Sequence, residues 1–221
     1  MWSSDSDPFS APLISHPRSL LYSRQKLWLW RRGLGEPLRA FLAGLDEVAL
    51  PTIKAVLTPD EIPVPALRAW FGEHWPGLPC WGLRLWQRDL LMLIGLFRSL
   101  HPHRALRFCL EAVHTPDCRL FHTDRVGLRL ICTYRGPGTQ WLDEDNVNRG
   151  ELGLRGRAMA VANRAMVRDP ARIHTMDTGW VAVMKGDAFP GNDGGGLVHR
   201  AYPCEPGTPA RLRLRLDALA R

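Results

Sequence analysis

The sequence predicts an α+β fold, with a helical N-terminal region followed by a strand-rich half that forms an antiparallel sandwich or jelly roll. Before residue 103, apolar residues recur at spacings of three and four, which is typical of helices. After residue 104, short segments alternate between apolar and polar residues, as half-buried strands do. Glycine- and proline-rich turns, rather than long helices, join those segments, and such connections favour antiparallel sheets.

Composition and charge narrow the classes of function. The 221 residues are 45% hydrophobic, which is enough for a real core. The net charge of +7 comes from 26 arginines and 3 lysines scattered along the chain, so a nucleic-acid partner is disfavoured. Five cysteines form no CxxC pair and no signal peptide is recognisable, which predicts reduced thiols in the cytoplasm. The longest apolar run, 90–97, is too short to span a membrane.

The N-terminal region divides into a flexible arm and a helical part. Residues 1–17 are rich in serine, aspartate and proline, and we expect a loosely held arm. In the helical region, 18–103, the leucines and tryptophans of residues 17–44 fall on one helical face. Residues 81–100 predict a second helix that is apolar around most of its circumference and therefore packs between other layers.

The C-terminal domain, 104–221, carries the predicted strands. They fall at 105–113, 126–134, 173–176, 180–184, 197–200 and 211–216, with a helix within 151–168. In the last strand, leucines alternate with Arg211, Arg213 and Arg215. Because successive side chains of a strand point to opposite faces, we expect the leucines to face the core and the arginines to face solvent.

A histidine and a carboxylate, His122 and Asp124, lie two residues apart at the head of the strand at 126–134. In an extended chain such residues point to the same side, where an imidazole nitrogen and a carboxylate oxygen suit a divalent transition metal. A second histidine would complete a triad of ligands that leaves other coordination positions open. His199, which follows a short apolar run, is the candidate, so His122, Asp124 and His199 form the predicted metal site.

This order of motifs resembles the cupin-like, double-stranded β-helix oxygenases that use iron(II) and usually 2-oxoglutarate. The resemblance implies a double-stranded β-helix in the C-terminal half, with iron(II) held by a His-x-Asp pair and a distant histidine. It also implies an arginine, roughly ten residues past that histidine, for the 2-oxoglutarate carboxylate. Arg211 and Arg213, twelve and fourteen residues beyond His199, are the candidates. If both face solvent, Arg129 or Arg200 takes this role, or 2-oxoglutarate is not used.

A second resemblance covers nearly the whole chain. Four phrases carry it: Cys118-Arg-Leu-Phe-His122-Thr-Asp124, Arg129-Leu-Ile-Cys-Thr-Tyr-Arg-Gly-Pro-Gly-Thr-Gln-Trp-Leu142, Lys185-Gly-Asp187 and Val198-His-Arg-Ala-Tyr-Pro203. They resemble a bacterial family catalogued only as a domain of unknown function. Its members are sometimes encoded beside zinc-responsive genes and metal-handling GTPases, which implies a link to zinc homeostasis and a GTPase partner. Members often read His-Arg-Ser-Pro where this chain has His199-Arg-Ala-Tyr-Pro203, so a serine hydroxyl has no counterpart here.

Three hypotheses follow from these patterns. The first is a metal-dependent, oxygenase-like enzyme with an unknown substrate. The second is a zinc-binding protein without catalysis, in which Cys118 adds a thiolate to the three other ligands and closes the site. The third is a β-sandwich without metal, in which His122 and Asp124 are a hydrogen-bonded pair. No P-loop, GxSxG, GxGxxG or HExxH motif is present, which disfavours nucleotide hydrolysis, serine hydrolysis, Rossmann cofactors and zincin chemistry.

Overall fold

The computed structural model describes residues 16–45, 52–114, 118–192, 194–203 and 210–219. All but the last two residues of the predicted flexible arm lie outside this part of the chain. The helices are α1 (Arg18–Tyr22), α2 (Glu36–Ala43), α3 (Pro63–His74), α4 (Cys80–Arg98) and α5 (Met159–Met166). The strands are β1 (Leu27–Trp30), β2 (Ile53–Leu57), β3 (Leu106–Val113), β4 (Leu128–Arg135), β5 (Gln140–Trp141), β6 (His174–Thr175), β7 (Val181–Lys185), β8 (His199–Arg200) and β9 (Arg211–Ala218).

The strands form two sheets in a mixed α/β structure. The larger sheet has the order β1-β7-β4-β9-β3-β2, and each neighbouring pair is antiparallel. The smaller sheet has the order β6-β5-β8. Ile131 and Ala182 of the larger sheet pack with Trp141 of the smaller one and with Leu197, two residues before β8, so the two sheets face each other across a shared interior.

The main hydrophobic core lies between the helices and the outer face of the larger sheet. Trp86, Leu90 and Phe97 of α4 are fully buried there against leucines of β4 and β9. Each such side chain contributes about 1.5–3 kcal/mol to folding. The prediction of a helix at 81–100, buried between layers, is therefore confirmed by α4. Among the described residues no helix is long and apolar enough to cross a membrane.

The six strands predicted in the C-terminal half are confirmed as β3, β4, β6, β7, β8 and β9, but the N-terminal half is not wholly helical. It supplies β1 and β2, the two edge strands of the larger sheet. The helical face predicted over 17–44 is wrong at Leu27–Trp30, which pairs with β7 as β1. Four consecutive apolar residues satisfy a helical and a strand pattern equally well, and pairing with the sheet edge decided between them.

The predicted orientation of β9 is only half right. Leu212, Leu214 and Leu216 pack under the helices as expected. The arginines do not face solvent: Arg211 is 1% exposed, and the side chains of Arg213 and Arg215 are 12% and 26% exposed. Strand β9 lies in the middle of the larger sheet, whose inner face is covered by the smaller sheet. Both faces of the strand are therefore buried, and its arginines point into the space between the sheets.

Candidate metal centre

The two predicted histidine ligands lie directly opposite each other. His122 and His199 form an antiparallel bridge in which each backbone N–H donates to the other's carbonyl at 3.0 Å. Residues paired in this way project their side chains to the same face of a sheet. The two ring centroids are 4.7 Å apart, so β8 and the segment before β4 bring together residues that are 77 positions apart in the sequence.

Asp124 completes the cluster. Its Oδ2 lies 3.1 Å from Nε2 of His199, and its Oδ1 lies 3.8 Å from Nε2 of His122. The ligand atoms of the three residues all lie within 4.8 Å of one another. Three ligands that each bind an ion at about 2.0–2.2 Å stand roughly 3 Å apart, so movements of about 1 Å or less would bring these atoms into place. The three residues predicted from the sequence are therefore assembled in one site.

The hydrogen bonds of the two imidazoles engage Nδ1 and leave Nε2 of each ring facing the cluster. Nδ1 of His122 lies 2.8 Å from the carbonyl oxygen of Leu120, and Nδ1 of His199 lies 3.0 Å from that of Leu197. A carbonyl only accepts, so each Nδ1 carries a proton, and in the neutral ring the lone pair is on Nε2. This is the usual way in which a protein fixes the tautomer and ring orientation of a metal-binding histidine.

Burial and neighbouring charges favour the protonation states of His122 and Asp124 that can bind a metal. Burial lowers the pKa of His122, and the neighbouring His199 lowers it further, which favours the neutral ring. Burial alone would raise the pKa of Asp124, but close contact with His199 and the charge of Arg129 hold it well below its usual range. Asp124 is therefore a carboxylate beside two imidazole side chains, and a carboxylate with two imidazoles is a suitable donor set for iron(II) or zinc.

Arg129 of β4 anchors the carboxylate ligand to the larger sheet. Its Nη1 lies 2.5 Å from Oδ2 of Asp124. Its Nε and Nη2 donate to the two carboxylate oxygens of Asp217 in β9 at 2.6 and 2.9 Å. The Asp124 Oδ2 is nevertheless buried without a well-aligned hydrogen-bond donor among the described residues. A metal ion would satisfy this oxygen, so the local geometry fits one.

Asp187 connects the segment that carries His122 and Asp124 with the loop that leads to His199. In the sequence it stood out only as part of the Lys185-Gly-Asp187 motif. One oxygen of its carboxylate accepts from the hydroxyl of Thr123 at 2.6 Å, and the other from the backbone N–H of Gly196 at 2.9 Å. Its own backbone N–H donates to the carbonyl of Asp124 at 2.8 Å. Asp187 thereby ties the His122–Asp124 segment to the glycine-rich loop that leads into His199.

The glycine before Asp187 is required by the same close packing. A Cβ at Gly186 would lie 2.2 Å from the carbonyl oxygen of Val126 and 2.5 Å from that of Asp124. Both contacts are far shorter than real Cβ atoms tolerate, so any side chain here would push the His122–Asp124 segment away. This fit gives a physical reason for the glycine in the Lys185-Gly-Asp187 phrase.

The cluster opens into a pocket of about 170 Å³ between the two sheets. Besides the three ligand residues, five arginines line it: Arg107, Arg129, Arg200, Arg213 and Arg215. Arginine side chains buried between sheets need anionic partners, and the described acids of this interior, Asp124, Asp217 and Glu111, pair with only some of them. The pocket is therefore positively charged next to the metal cluster.

A family model matches residues 18–217 of this sequence. Its description is "Protein of unknown function (DUF1826)". The chain belongs to this family. The match confirms the resemblance to a family of unknown function, whereas the link to zinc-responsive genes remains a prediction. No curated protein matches this DUF1826 chain.

Several solved structures resemble the DUF1826 chain at low identity. The rice dioxygenase for auxin oxidation is 14% identical, with a TM-score of 0.50, over 92% of this chain and 77% of that one. The Arabidopsis thaliana dioxygenase for auxin oxidation 1, solved with 2-oxoglutarate, is 11% identical, with a TM-score of 0.45, over 94% and 77%. HygX from Streptomyces hygroscopicus, solved with nickel and 2-oxoglutarate, is 9% identical, with a TM-score of 0.41, over 94% and 87%. The rice structure supports a common fold.

In the DUF1826 chain, the two arginines predicted to bind a co-substrate, Arg211 and Arg213, lie in different surroundings. Arg213 lines the metal pocket, and its Nε and Nη2 lie 3.1 and 2.5 Å from one oxygen of Glu111. Burial alone would raise the pKa of Glu111, but Arg213 lowers it below its ordinary value, so the pair is ionised. Arg211 packs against Gly136 and is not among the described residues that line the pocket. The structure therefore places Arg213, and not Arg211, in the pocket beside His122, Asp124 and His199.

The two other arginines considered for an anion are engaged with neighbouring side chains. Arg129 bridges Asp124 and Asp217. Arg200 donates from its Nε to Gln140 at 2.8 Å, and its guanidinium lies 4.3 Å from the ring centre of Phe121. Sequence reasoning missed Arg107 and singled out Arg215 only as part of the alternating strand. No local signal distinguished them, because the chain carries 26 arginines.

Cys118 does not close the site. It lies at the edge of the same pocket, is exposed, and accepts from the backbone N–H of Ala201 through its carbonyl. Among the described residues, however, the ligand cluster consists of His122, Asp124 and His199 and does not include this thiol. Three protein ligands facing a pocket correspond to an open site rather than to a closed structural zinc site.

Proposed function

We propose that this protein is an oxygenase that uses iron(II) and 2-oxoglutarate, built on a double-stranded β-helix. The observation that carries the proposal is the cluster of His122, Asp124 and His199, with both Nε2 atoms available, at the mouth of a cationic pocket between two antiparallel sheets. Two histidines and one carboxylate with open positions are typical of non-haem iron(II) oxygenases. The fold likeness to the rice dioxygenase supports the same assignment.

Each residue of the site has a separate role in the proposed reaction. His122, Asp124 and His199 would hold the ion, and bound iron(II) would supply the activation of dioxygen. Arg129 keeps Asp124 ionised and oriented, while Asp187 fixes the segment that carries it. Arg213 is the proposed partner for the distal carboxylate of 2-oxoglutarate, because a guanidinium binds a carboxylate through two parallel hydrogen bonds. Glu111 holds this arginine in place within the pocket.

The test is metal and co-substrate binding in matched histidine variants. Purified protein is reconstituted with iron(II) without oxygen and then titrated with 2-oxoglutarate, and metal content, visible absorption and succinate formation are measured. His122→Ala and His199→Ala should lose stoichiometric iron and the absorption band that 2-oxoglutarate induces. His174→Ala, which removes a half-exposed histidine paired with Asp143, should keep both. Full metal content in both ligand variants would exclude this site.

A non-catalytic zinc protein is the second candidate. The presence of Cys118 at the edge of the pocket favours it, since its thiolate is a ligand type that zinc prefers. Stoichiometric zinc binding that weakens in Cys118→Ser, together with no effect of 2-oxoglutarate on the bound metal, would support this function and count against the oxygenase.

A further inference from the structure

A second cavity lies beside the metal pocket and is also basic. Its volume is about 400 Å³, and Lys54, Arg107 and Arg215 line it together with Ala55, Val56 and Cys109. We call it the basic groove. Arg107 and Arg215 line both the basic groove and the metal pocket, so the two cavities adjoin at these side chains.

The register of the larger sheet explains why these cations meet. Lys54 of β2 lies opposite Cys109 of β3, which in turn lies opposite Arg215 of β9. Arg107, two residues before Cys109, points to the same inner face because side chains alternate along a strand. Residues that are more than 160 positions apart in the sequence thus form one basic surface.

The neighbouring acids are bound to other arginines. Glu111 pairs with Arg213, and Asp217 pairs with Arg129. Arg215 lies 3.8 Å from each of these carboxylates, which is beyond hydrogen-bond distance. Its Nε is buried and has no hydrogen-bond partner among the described residues. A buried guanidinium N–H without an acceptor is costly, and an incoming oxyanion would satisfy it.

We propose that the basic groove binds an oxyanion, a carboxylate or a phosphate, of the organic substrate. Arg215 and Arg107 bind the charged group at the boundary between the cavities, and Lys54 adds a third charge from the edge strand. Val56, which is 54% exposed and shares the face of Lys54, offers apolar contact to the rest of a small molecule. That this molecule is the compound to be oxidised rests on the proposed oxygenase function, whereas anion binding itself does not.

Calorimetric titration of the full-length protein with inorganic phosphate and with acetate tests the proposal. Arg107→Met is the main variant, because Arg107 is exposed and its loss leaves the core intact. Arg215→Met removes the buried donor. Arg68→Met, an exposed arginine of α3 on the opposite side of the larger sheet, removes the same charge without touching the groove.

We expect one anion to bind per chain and the affinity to fall about tenfold or more in Arg107→Met and Arg215→Met, as expected for a lost charge-assisted hydrogen bond. Arg68→Met should stay within about twofold of wild type, since a distant surface charge is screened. Phosphate binding without acetate binding assigns a phosphate group, and the reverse assigns a carboxylate. No binding of either probe, or equal losses in Arg107→Met and Arg68→Met, overturns the proposal.

Repeating the titration with iron(II) and 2-oxoglutarate present separates this proposal from the proposed function. An anion in the basic groove should remain bound beside 2-oxoglutarate. Displacement of the probe by 2-oxoglutarate at a one-to-one ratio shows a single shared subsite and overturns the separate groove. If anion binding persists in protein that takes up neither iron nor 2-oxoglutarate, the groove stands and the oxygenase assignment fails.

Discussion

Replacing Asp187 by alanine removes the connection between the two halves of the metal cluster. The carboxylate accepts one hydrogen bond from Thr123 at 2.6 Å and one from the backbone of Gly196 at 2.9 Å. Hydrogen bonds to a charged group contribute about 1.5–3 kcal/mol each, but this half-buried carboxylate regains water in part when they are lost. We therefore expect a loss of about 2–4 kcal/mol, shared between folding and metal binding.

Part of this free-energy loss should appear as weaker metal binding, because Asp187 orients the segment that carries two of the candidate ligands. Loss of a residue that orients metal ligands usually lowers metal affinity by about 10–100-fold. Asp187→Ala should weaken iron(II) or zinc binding by that factor and lower Tm by about 4–8 °C, corresponding to about 2 kcal/mol in a chain of this size. Thr123→Val, which removes one of the two bonds, should weaken binding by about 3–10-fold.

Calorimetric metal titration and thermal unfolding followed by circular dichroism measure the two effects. Asp60→Ala, which removes an exposed carboxylate in the turn before α3, is the matched control and should change neither. A metal affinity of Asp187→Ala within about twofold of wild type would refute the positioning role. Loss of stability alone, with unchanged metal binding, would show that the hydrogen bonds only support the fold.

Three further changes test other parts of the site. Arg213→Met should weaken 2-oxoglutarate binding to the iron-loaded protein by about 10–100-fold without loss of iron, as measured by titration of visible absorption; unchanged affinity would exclude this residue. Gly186→Ala should lower the free energy of unfolding by about 1–3 kcal/mol in denaturant titrations because its Cβ meets two carbonyl oxygens, whereas Gly72→Ala in α3, where the Cβ meets nothing within 4 Å, should be neutral or stabilising. The hydrogen bond from Arg149 is the main cause that lowers the pKa of Glu144 to about 2. The ionised Glu144 therefore stabilises the folded protein at pH values above its unfolded pKa near 4.5, and this stabilisation is lost as pH falls through about 2. Solvent screens this half-exposed pair, so we expect it to contribute about 1 kcal/mol. Glu144→Gln should accordingly lower Tm by about 2–4 °C at pH 7 and by much less near pH 2; an equal difference at both pH values would contradict this explanation.

The clustering of the three candidate ligand residues could be predicted because their signal is local or ordered along the chain. His122 and Asp124 share a face through the two-residue period of an extended chain. His199 followed from its place at the end of a later apolar run. The sequence did not show that the backbones of His122 and His199 would pair directly, which is the contact that brings their rings to 4.7 Å.

The positioning residues could not be predicted in the same way. Asp187 acts through hydrogen bonds to Thr123 and Gly196, which lie 64 and 9 residues away. Such contacts depend on how β7 and the glycine-rich loop fold over the segment before β4. An aspartate in a Lys-Gly-Asp turn looks like any solvated turn residue, and only the surrounding backbone gives it a role.

The sequence by itself determined the strand-rich C-terminal half, the buried helix α4 and the three residues of the candidate metal site, since each depends on periodicity or residue type. Tertiary structure decided which side of each strand is covered. An alternating pattern such as that of Arg211–Ala218 defines two faces but not whether a second sheet covers the polar one. Because the smaller sheet does so, Arg213 and Arg215 of β9 point inward beside the His122–Asp124–His199 cluster. A basic charge that is scattered along the sequence is thereby concentrated in the interior between the sheets.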